Sequence, residues 1–87
     1  MIDLLAVNDF IRFLKKEYPE INVSVSYDPM NFLLKIQFDF NNHDYHYRIL
    51  RKFIRSTEEA IGAISHYHTD FLVSLSERGV KLNGSHD

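Results

Sequence analysis

Residues 21–40 read INVSVSYDPMNFLLKIQFDF, and this stretch limits the folds that the chain can adopt. Apolar and polar residues alternate from Ile21 to Tyr27, and apolar residues recur at every second position from Phe32 to Phe40, with Asp28-Pro29-Met30-Asn31 between the two runs. Period-two alternation predicts strands with one buried face, and proline suits the second position of a β-turn. The stretch therefore predicts an antiparallel hairpin with one apolar face.

A third strand is predicted after a second turn. Tyr45, Tyr47 and Ile49 continue the alternation, with His46 and Arg48 between them. The pattern predicts that the two tyrosines and Ile49 face the core, whereas His46 and Arg48 lie on the outer face of the sheet. The residues expected on that outer face are Leu33 and Leu50, with a polar surround of Ser24, Lys35, Gln37, His46 and Arg48.

The segment 48–55 is open to two interpretations, strand or helix. Its apolar residues have helical spacing, in phase with those of the helix that follows. Ser56 and Glu59, however, form a capping box, in which the two side chains satisfy the free N–H groups at the start of a new helix. We therefore expect a strand as far as Phe53 and a helix from Ser56 to about Arg78.

The first element is predicted to be an amphipathic helix from about Asp3 to Tyr18. Pro19 ends it, because the residue before a proline is disfavoured in the helical conformation. The apolar residues of this helix cover an arc of roughly 200°, wider than one sheet face buries. Either the helix packs between two neighbours, or part of the arc faces a partner.

These elements predict an α+β fold in the order α-β-β-β-α. The strands are expected to form an antiparallel meander, with the helices packed on one face and the other face solvated. Residues 1–82 are expected to form a single domain, and residues 83–87 a flexible tail.

Composition limits the class of protein. The 87 residues include no cysteine, which excludes disulfides and thiolate metal sites. The net charge of −2 gives no overall attraction to nucleic acid or to an anionic membrane. The N-terminal MIDLLAVNDF lacks the basic start of a signal peptide. We expect a cytoplasmic protein with no membrane partner.

Neither a metal centre nor a catalytic centre is predicted. His66 and Asp70 share one face of the last helix and are the best metal-ligand candidates, whereas His68 falls in the apolar stripe and is expected in the core. The sequence contains no Gly-x-Ser-x-Gly turn and no glycine-rich phosphate loop. We expect a protein that is not an enzyme and that uses no metal, cofactor or small-molecule substrate.

The most distinctive local feature is the basic segment at residues 48–55. It holds four of the ten Lys and Arg residues and no acidic residue. Basic residues interleaved with aromatic ones bind phosphates and stack on bases, whereas in an edge strand such charges oppose aggregation. The nucleic-acid hypothesis rests on Lys35, Arg48, Arg51, Lys52 and Arg55.

The predicted element order resembles that of the double-stranded-RNA-binding domain over most of the chain. This resemblance implies nucleic-acid binding as an alternative function. That family has a basic run at the start of its last helix, where this chain has Ser56-Thr57-Glu58-Glu59. The size and element order are also similar to those of some phage-encoded inhibitors, including anti-CRISPR proteins, which implies a small regulator encoded by a phage or mobile element.

The leading hypothesis is a non-catalytic protein–protein interaction module, acting as a small regulator or assembly factor. Two features motivate it: the wide apolar arc of the first helix, and apolar residues within a polar rim on the outer sheet face. The partner is expected to be another protein or a second copy in a homodimer. The predicted interface residues are Leu4, Ile11, Tyr18, Leu33, Lys35 and Gln37.

Overall fold

The structure, a computed structural model, describes residues 2–41 and 47–80. Its elements are α1 (Leu4–Glu17), β1 (Ile21–Asp28), β2 (Leu33–Phe40), β3 (Tyr47–Phe53) and α2 (Thr57–Glu77). The predicted α+β fold and the α-β-β-β-α order are confirmed, as is the strand at 48–53. The predicted positions of Tyr45 and His46, and the predicted tail at residues 83–87, lie outside the described residues.

The strands form an antiparallel meander in the order β1-β2-β3. The register pairs Ile21 with Phe40 and Tyr27 with Leu34, so the alternating apolar residues of β1 and β2 share one face, the buried face. Phe38, near its centre, is fully buried. The opposite side, the open face, carries Asn22, Ser24, Ser26, Asp28, Leu33, Lys35, Gln37, Asp39, Tyr47, Ile49, Arg51 and Phe53.

One hydrophobic core joins both helices to the buried face. The Phe71 ring of α2 stacks on Phe38, with the ring centroids 5.6 Å apart, and Val7 and Leu14 of α1 are buried in the same cluster. α1 contacts β1 and α2 contacts β2, so β3 lies at the margin of the helical layer. Within residues 2–41 and 47–80, no helix is long and apolar enough to cross a membrane.

Both helices begin at side-chain caps. The Asp3 carboxylate accepts hydrogen bonds from two N–H groups in the first turn of α1. The Ser56 hydroxyl accepts the Glu59 N–H at 3.1 Å, as the capping box predicts. The Asp3 N–H also donates to Thr57 Oγ1 at 2.9 Å, so the two helices start side by side at one end of the molecule.

The predicted faces of β3 are wrong. The register pairs Arg48 with Phe38, which places Arg48 and Leu50 on the buried face, where Leu50 packs against the core. Tyr47 and Ile49 lie on the open face instead. The reason is that β3 is an edge strand at the margin of the helices, where a long cationic side chain can reach water from either face.

Candidate interaction surface

Exposed apolar side chains gather at one end of the molecule. Five of the eight large hydrophobic residues exposed in the described part of the chain come from the start of α1, the β1–β2 turn and the end of β3. These five, which we call the apolar end, are Leu4, Leu5, Met30, Phe32 and Phe53, exposed by 41–86%. Apolar patches of this kind mark contacts with other proteins or ligands.

A groove of about 490 Å³ runs into the apolar end. A second depression, of about 470 Å³, continues from Ile2 and Leu4 to Leu5. Volumes of roughly 300–1,000 Å³ with apolar walls are typical of sites that take in a ligand. The groove is lined by Ile2, Leu4, Tyr27, Pro29 and Phe32.

Phe32 reaches this groove through a strained backbone conformation. Its φ of 53° lies in the left-handed region, which costs a bulky residue on the order of 1–2 kcal/mol. Its carbonyl accepts the Ile54 N–H at 2.7 Å, one pair beyond the end of the β2–β3 ladder. The predicted start of β2 at Phe32 is therefore wrong by one residue. Strain of this kind concentrates at functional sites.

Asp28 fixes the turn that carries Met30. Its carboxylate accepts the Asn31 side-chain amide at 2.7 Å and the Met30 N–H at 3.0 Å. These hydrogen bonds, that of the Asn31 side chain first, hold the pKa of Asp28 below its ordinary value because they stabilise the charged form. Met30, 86% exposed, is thus presented by a hydrogen-bonded turn.

Arg55 supplies the positive charge beside the apolar end. Its guanidinium carbon lies 5.0 Å from the centroid of the Phe32 ring and 5.1 Å from that of Phe53. Such cation–π contacts hold a guanidinium over aromatic rings and leave its N–H groups available. The carbonyl of neighbouring Ile54 accepts the Tyr27 hydroxyl at 2.9 Å, so β1 helps to position Arg55.

The open face brings the predicted β2 residues together. Leu33, Lys35 and Gln37 lie on this face, with Leu33 directly opposite Phe53 of β3. Lys35 lies directly opposite Arg51. Like charges in directly opposed positions destabilise a sheet, and an anion bound between them would relieve the repulsion.

The basic segment is divided between the two faces, as strand geometry predicts. Arg51 lies on the open face, and Arg55 follows the end of the strand. Arg48 and Lys52 lie on the buried face, where Lys52 Nζ is 5.0 Å from the centroid of the Tyr67 ring. The segment therefore forms no continuous patch on one face of the sheet.

The predicted α1 interface is only partly available. Ile11 and Tyr18 are half-buried against the core, and the Tyr18 ring lies 5.5 Å from the ring of His68 on α2. The chain's own core thus takes up this margin of the arc, one of the two outcomes that the sequence left open. Leu4 is 45% exposed and belongs to the apolar end, while Phe13 is 54% exposed on the other margin.

The histidines of α2 have different environments. His68 is 3% exposed, and burial lowers its pKa because the charged imidazolium loses hydration. Its Nε2 has no hydrogen-bond partner among the described residues. His66 Nε2 and Asp70 Oδ2 lie 3.9 Å apart on the surface. No third His, Asp or Glu of residues 2–41 and 47–80 joins them in a metal-binding group.

The sequence reasoning missed most of the apolar end. The apolar alternation of β2 predicts that Phe32 faces the core. The helical spacing of segment 48–55 predicts the same for Phe53. Two signals for it were present, however. Leu5 falls outside the apolar arc of α1, and Met30 lies in a turn, and both positions favour an exposed side chain.

Comparisons with family models, with curated proteins and with solved structures find no match to this chain.

Proposed function

We propose that this chain is a non-catalytic protein-interaction module that binds a segment of another protein at the apolar end. The observation that carries the proposal is the gathering of five exposed apolar side chains from three separate segments at one end of the molecule, where two of them, Leu4 and Phe32, line a groove. Covering these side chains contributes about 25 cal/mol per Å² of apolar surface. A partner that inserts an apolar side chain into the groove would gain this energy.

Arg55 specifies the polar part of that partner. Its guanidinium is fixed over Phe32 and Phe53, and among the described residues no carboxylate lies within 4.0 Å of it. A carboxylate beside an apolar side chain would satisfy both the cation and the groove. Among the described residues that line the groove, Tyr27 is the one ionisable residue, and its hydroxyl already donates to the Ile54 carbonyl.

Selection of random linear peptides displayed on phage against the wild-type protein tests the proposal. We expect enriched peptides to place a large apolar residue beside an acidic one. Leu5→Ser and Met30→Ser should each weaken their binding about tenfold, because these side chains, 76% and 86% exposed, gain contacts only in the complex.

Val73→Ser is the matched control, because Val73 is 53% exposed on α2 and lies outside the apolar end. It should keep the wild-type affinity. If no peptide is enriched, or if Val73→Ser loses as much affinity as Met30→Ser, the proposal is wrong.

Sedimentation velocity across a range of concentrations distinguishes another protein from a second copy. We expect a monomer whose apolar end stays free for its partner. A dimer weakened by Leu5→Ser but not by Val73→Ser would assign the surface to self-association, the homodimer of the leading hypothesis.

Nucleic-acid binding is the second candidate function, because one observation favours it. The open face places Tyr47 and Phe53, 46% and 60% exposed, on the same side as Lys35 and Arg51. Aromatic rings beside cations bind single-stranded nucleic acid by stacking and charge.

Fluorescence anisotropy with single-stranded DNA and with duplex RNA, at low and moderate salt, tests this candidate. We expect weak or no binding, because the basic segment is divided between two faces and the net charge is −2. Tight binding that weakens steeply with salt, and that is lost in Arg51→Glu, would favour nucleic acid over protein.

A further inference from the structure

We infer that the free edge of β3 binds an acidic, extended segment of the partner protein as a fourth strand of the sheet. This inference rests on the proposed function and specifies the charge and conformation of the partner. Addition of a strand to a sheet edge is a common mode of peptide recognition, in which main-chain hydrogen bonds supply affinity and side chains supply specificity.

The backbone groups available at this edge follow from the register. The Ile54 N–H bonds the Phe32 carbonyl, and directly opposed pairs alternate between bonded and non-bonded in an antiparallel ladder. The N–H and C=O groups of Ile49, Arg51 and Phe53 therefore point away from β2. In the described part of the chain, β3 has β2 as its single strand neighbour, so these groups form an open ladder.

Positive charge surrounds the open ladder on both faces. Arg51 flanks it on the open face, Arg48 and Lys52 flank it on the buried face, and Arg55 lies just beyond its end. Among residues 2–41 and 47–80, no carboxylate lies within 4.0 Å of any of these four cations.

A second copy of β3 is a poor occupant of this edge. The antiparallel register that pairs the whole strand with its copy is centred on Leu50 and sets Arg48 opposite Lys52 twice. Like charges directly opposite each other are destabilising, so the edge opposes self-pairing. In an acidic strand, carboxylates would lie opposite Arg48 and Lys52, so the charge interactions across the edge would be attractive instead of repulsive.

The β3 edge is continuous with the apolar end. Phe53 contributes its backbone groups to the open ladder and its ring to the contacts with Phe32 and Arg55. A segment paired along β3 would therefore reach the groove at the Phe53 end of the strand. One acidic segment with an apolar end is thus able to occupy both surfaces.

The sequence of a probe peptide follows from antiparallel pairing with β3. Read antiparallel to β3 from Phe53 to Tyr47, acidic residues should lie opposite Arg48, Arg51 and Lys52, with valine opposite the other positions. The resulting probe is Val-Glu-Glu-Val-Val-Glu-Val, carrying a fluorescein label. Its charge control replaces each glutamate with lysine. Fluorescence anisotropy at about 50 mM salt should detect the acidic probe and not the lysine control.

Backbone methylation of the probe separates strand pairing from simple charge attraction. In this register the third and fifth residues of the probe lie opposite Arg51 and Ile49, so their N–H groups face β3. N-methylation of those two residues should abolish binding, whereas N-methylation of the second and fourth residues, whose N–H groups face solvent, should leave it intact. Equal binding by both methylated probes would overturn the inference, because it would show attraction without a ladder.

Charge reversal in the protein locates the site. Arg51→Glu should weaken the probe about tenfold or more, and the amide protons of Ile49, Arg51 and Phe53 should exchange more slowly when the probe is bound. Lys16→Glu, at the exposed end of α1, is the matched control with the same change in net charge. Equal weakening by the two variants would reject a site at β3.

The outcomes also separate this inference from the proposed function. If the probe binds Met30→Ser as tightly as wild type and phage selection finds no apolar peptide, the β3 site stands and the proposal for the apolar end fails. If selection succeeds but the acidic probe does not bind, the inference alone fails. Binding of octathymidylate in place of the acidic probe would reject the inference and support the nucleic-acid candidate.

Discussion

β2 and β3 are neighbouring strands of similar length, yet the fold uses them in opposite ways. β2 lies at the centre of the sheet under α2, and Leu34, Ile36 and Phe38 on its buried face are fully buried. β3 lies at the edge, carries cations on both faces and exposes 60% of Phe53. The central strand fills the core, whereas this edge strand leaves its outer backbone edge without a strand neighbour in the described part of the chain.

The difference shows where a sequence pattern is constrained by packing. In β2 a shift of one residue would move three large apolar side chains into water, so burial enforces the alternation. In β3 such a shift costs less, because Arg48 and Lys52 can extend from the buried face to water at the margin of the helices. The free-energy cost of a one-residue register shift, which would exchange the two faces of a strand, is therefore larger for β2 than for β3.

The largest expected effect lies in β2. Phe38→Ala should lower the free energy of unfolding by about 3–5 kcal/mol, because it leaves a cavity against Phe71 and His68. Lys35→Ala, on the open face of the same strand, should change it by no more than about 0.5 kcal/mol. Chemical denaturation measures both. The reverse ranking would mean that the faces of β2 are exchanged.

The same approach tests the faces of β3. Leu50→Ala should cost about 1–2 kcal/mol because Leu50 packs against the core. Ile49→Ala should cost less, within about 1 kcal/mol, since Ile49 lies on the open face. A larger loss for Ile49 would restore the face assignment that the sequence alone predicts.

The sequence was sufficient where burial and local geometry agree. The β1–β2 hairpin, the capping box at Ser56 and the end of α1 before Pro19 each follow from a rule that acts over a few residues. The apolar end could not be found in this way, because it joins Leu5, Met30 and Phe53 from distant segments. Their proximity depends on tertiary packing, which no local pattern encodes.

The free energy of unfolding is expected to depend on pH through His68, which is buried beneath β2. His68 is buried beside Phe38, and its lowered pKa means that the folded protein keeps it neutral where the unfolded chain takes up a proton. Stability from this residue is complete well above the unfolded-state pKa of about 6.5 and is lost progressively as the pH falls below it. Denaturation of wild type, His68→Leu and His66→Leu at several pH values measures it.

His68→Leu should lose this part of the pH dependence, and His66→Leu, a change at an exposed position of the same helix, should keep it. If both variants retain the wild-type slope, other groups cause the dependence.

The smallest expected effect on stability lies in β3 and has the opposite sign. Arg51→Glu replaces the like-charge pair with Lys35 by an attractive one, so unfolding should become harder by roughly 0.2–0.5 kcal/mol. The same change should weaken the acidic probe, because it removes the cation of the open face at the edge. A gain in stability combined with a loss of binding would show that the repulsion between Lys35 and Arg51 is retained for function. If Arg51→Glu lowers both stability and binding, the arginine contributes to packing. β3 would then contribute more to the stability of the fold than the exposure of its side chains indicates.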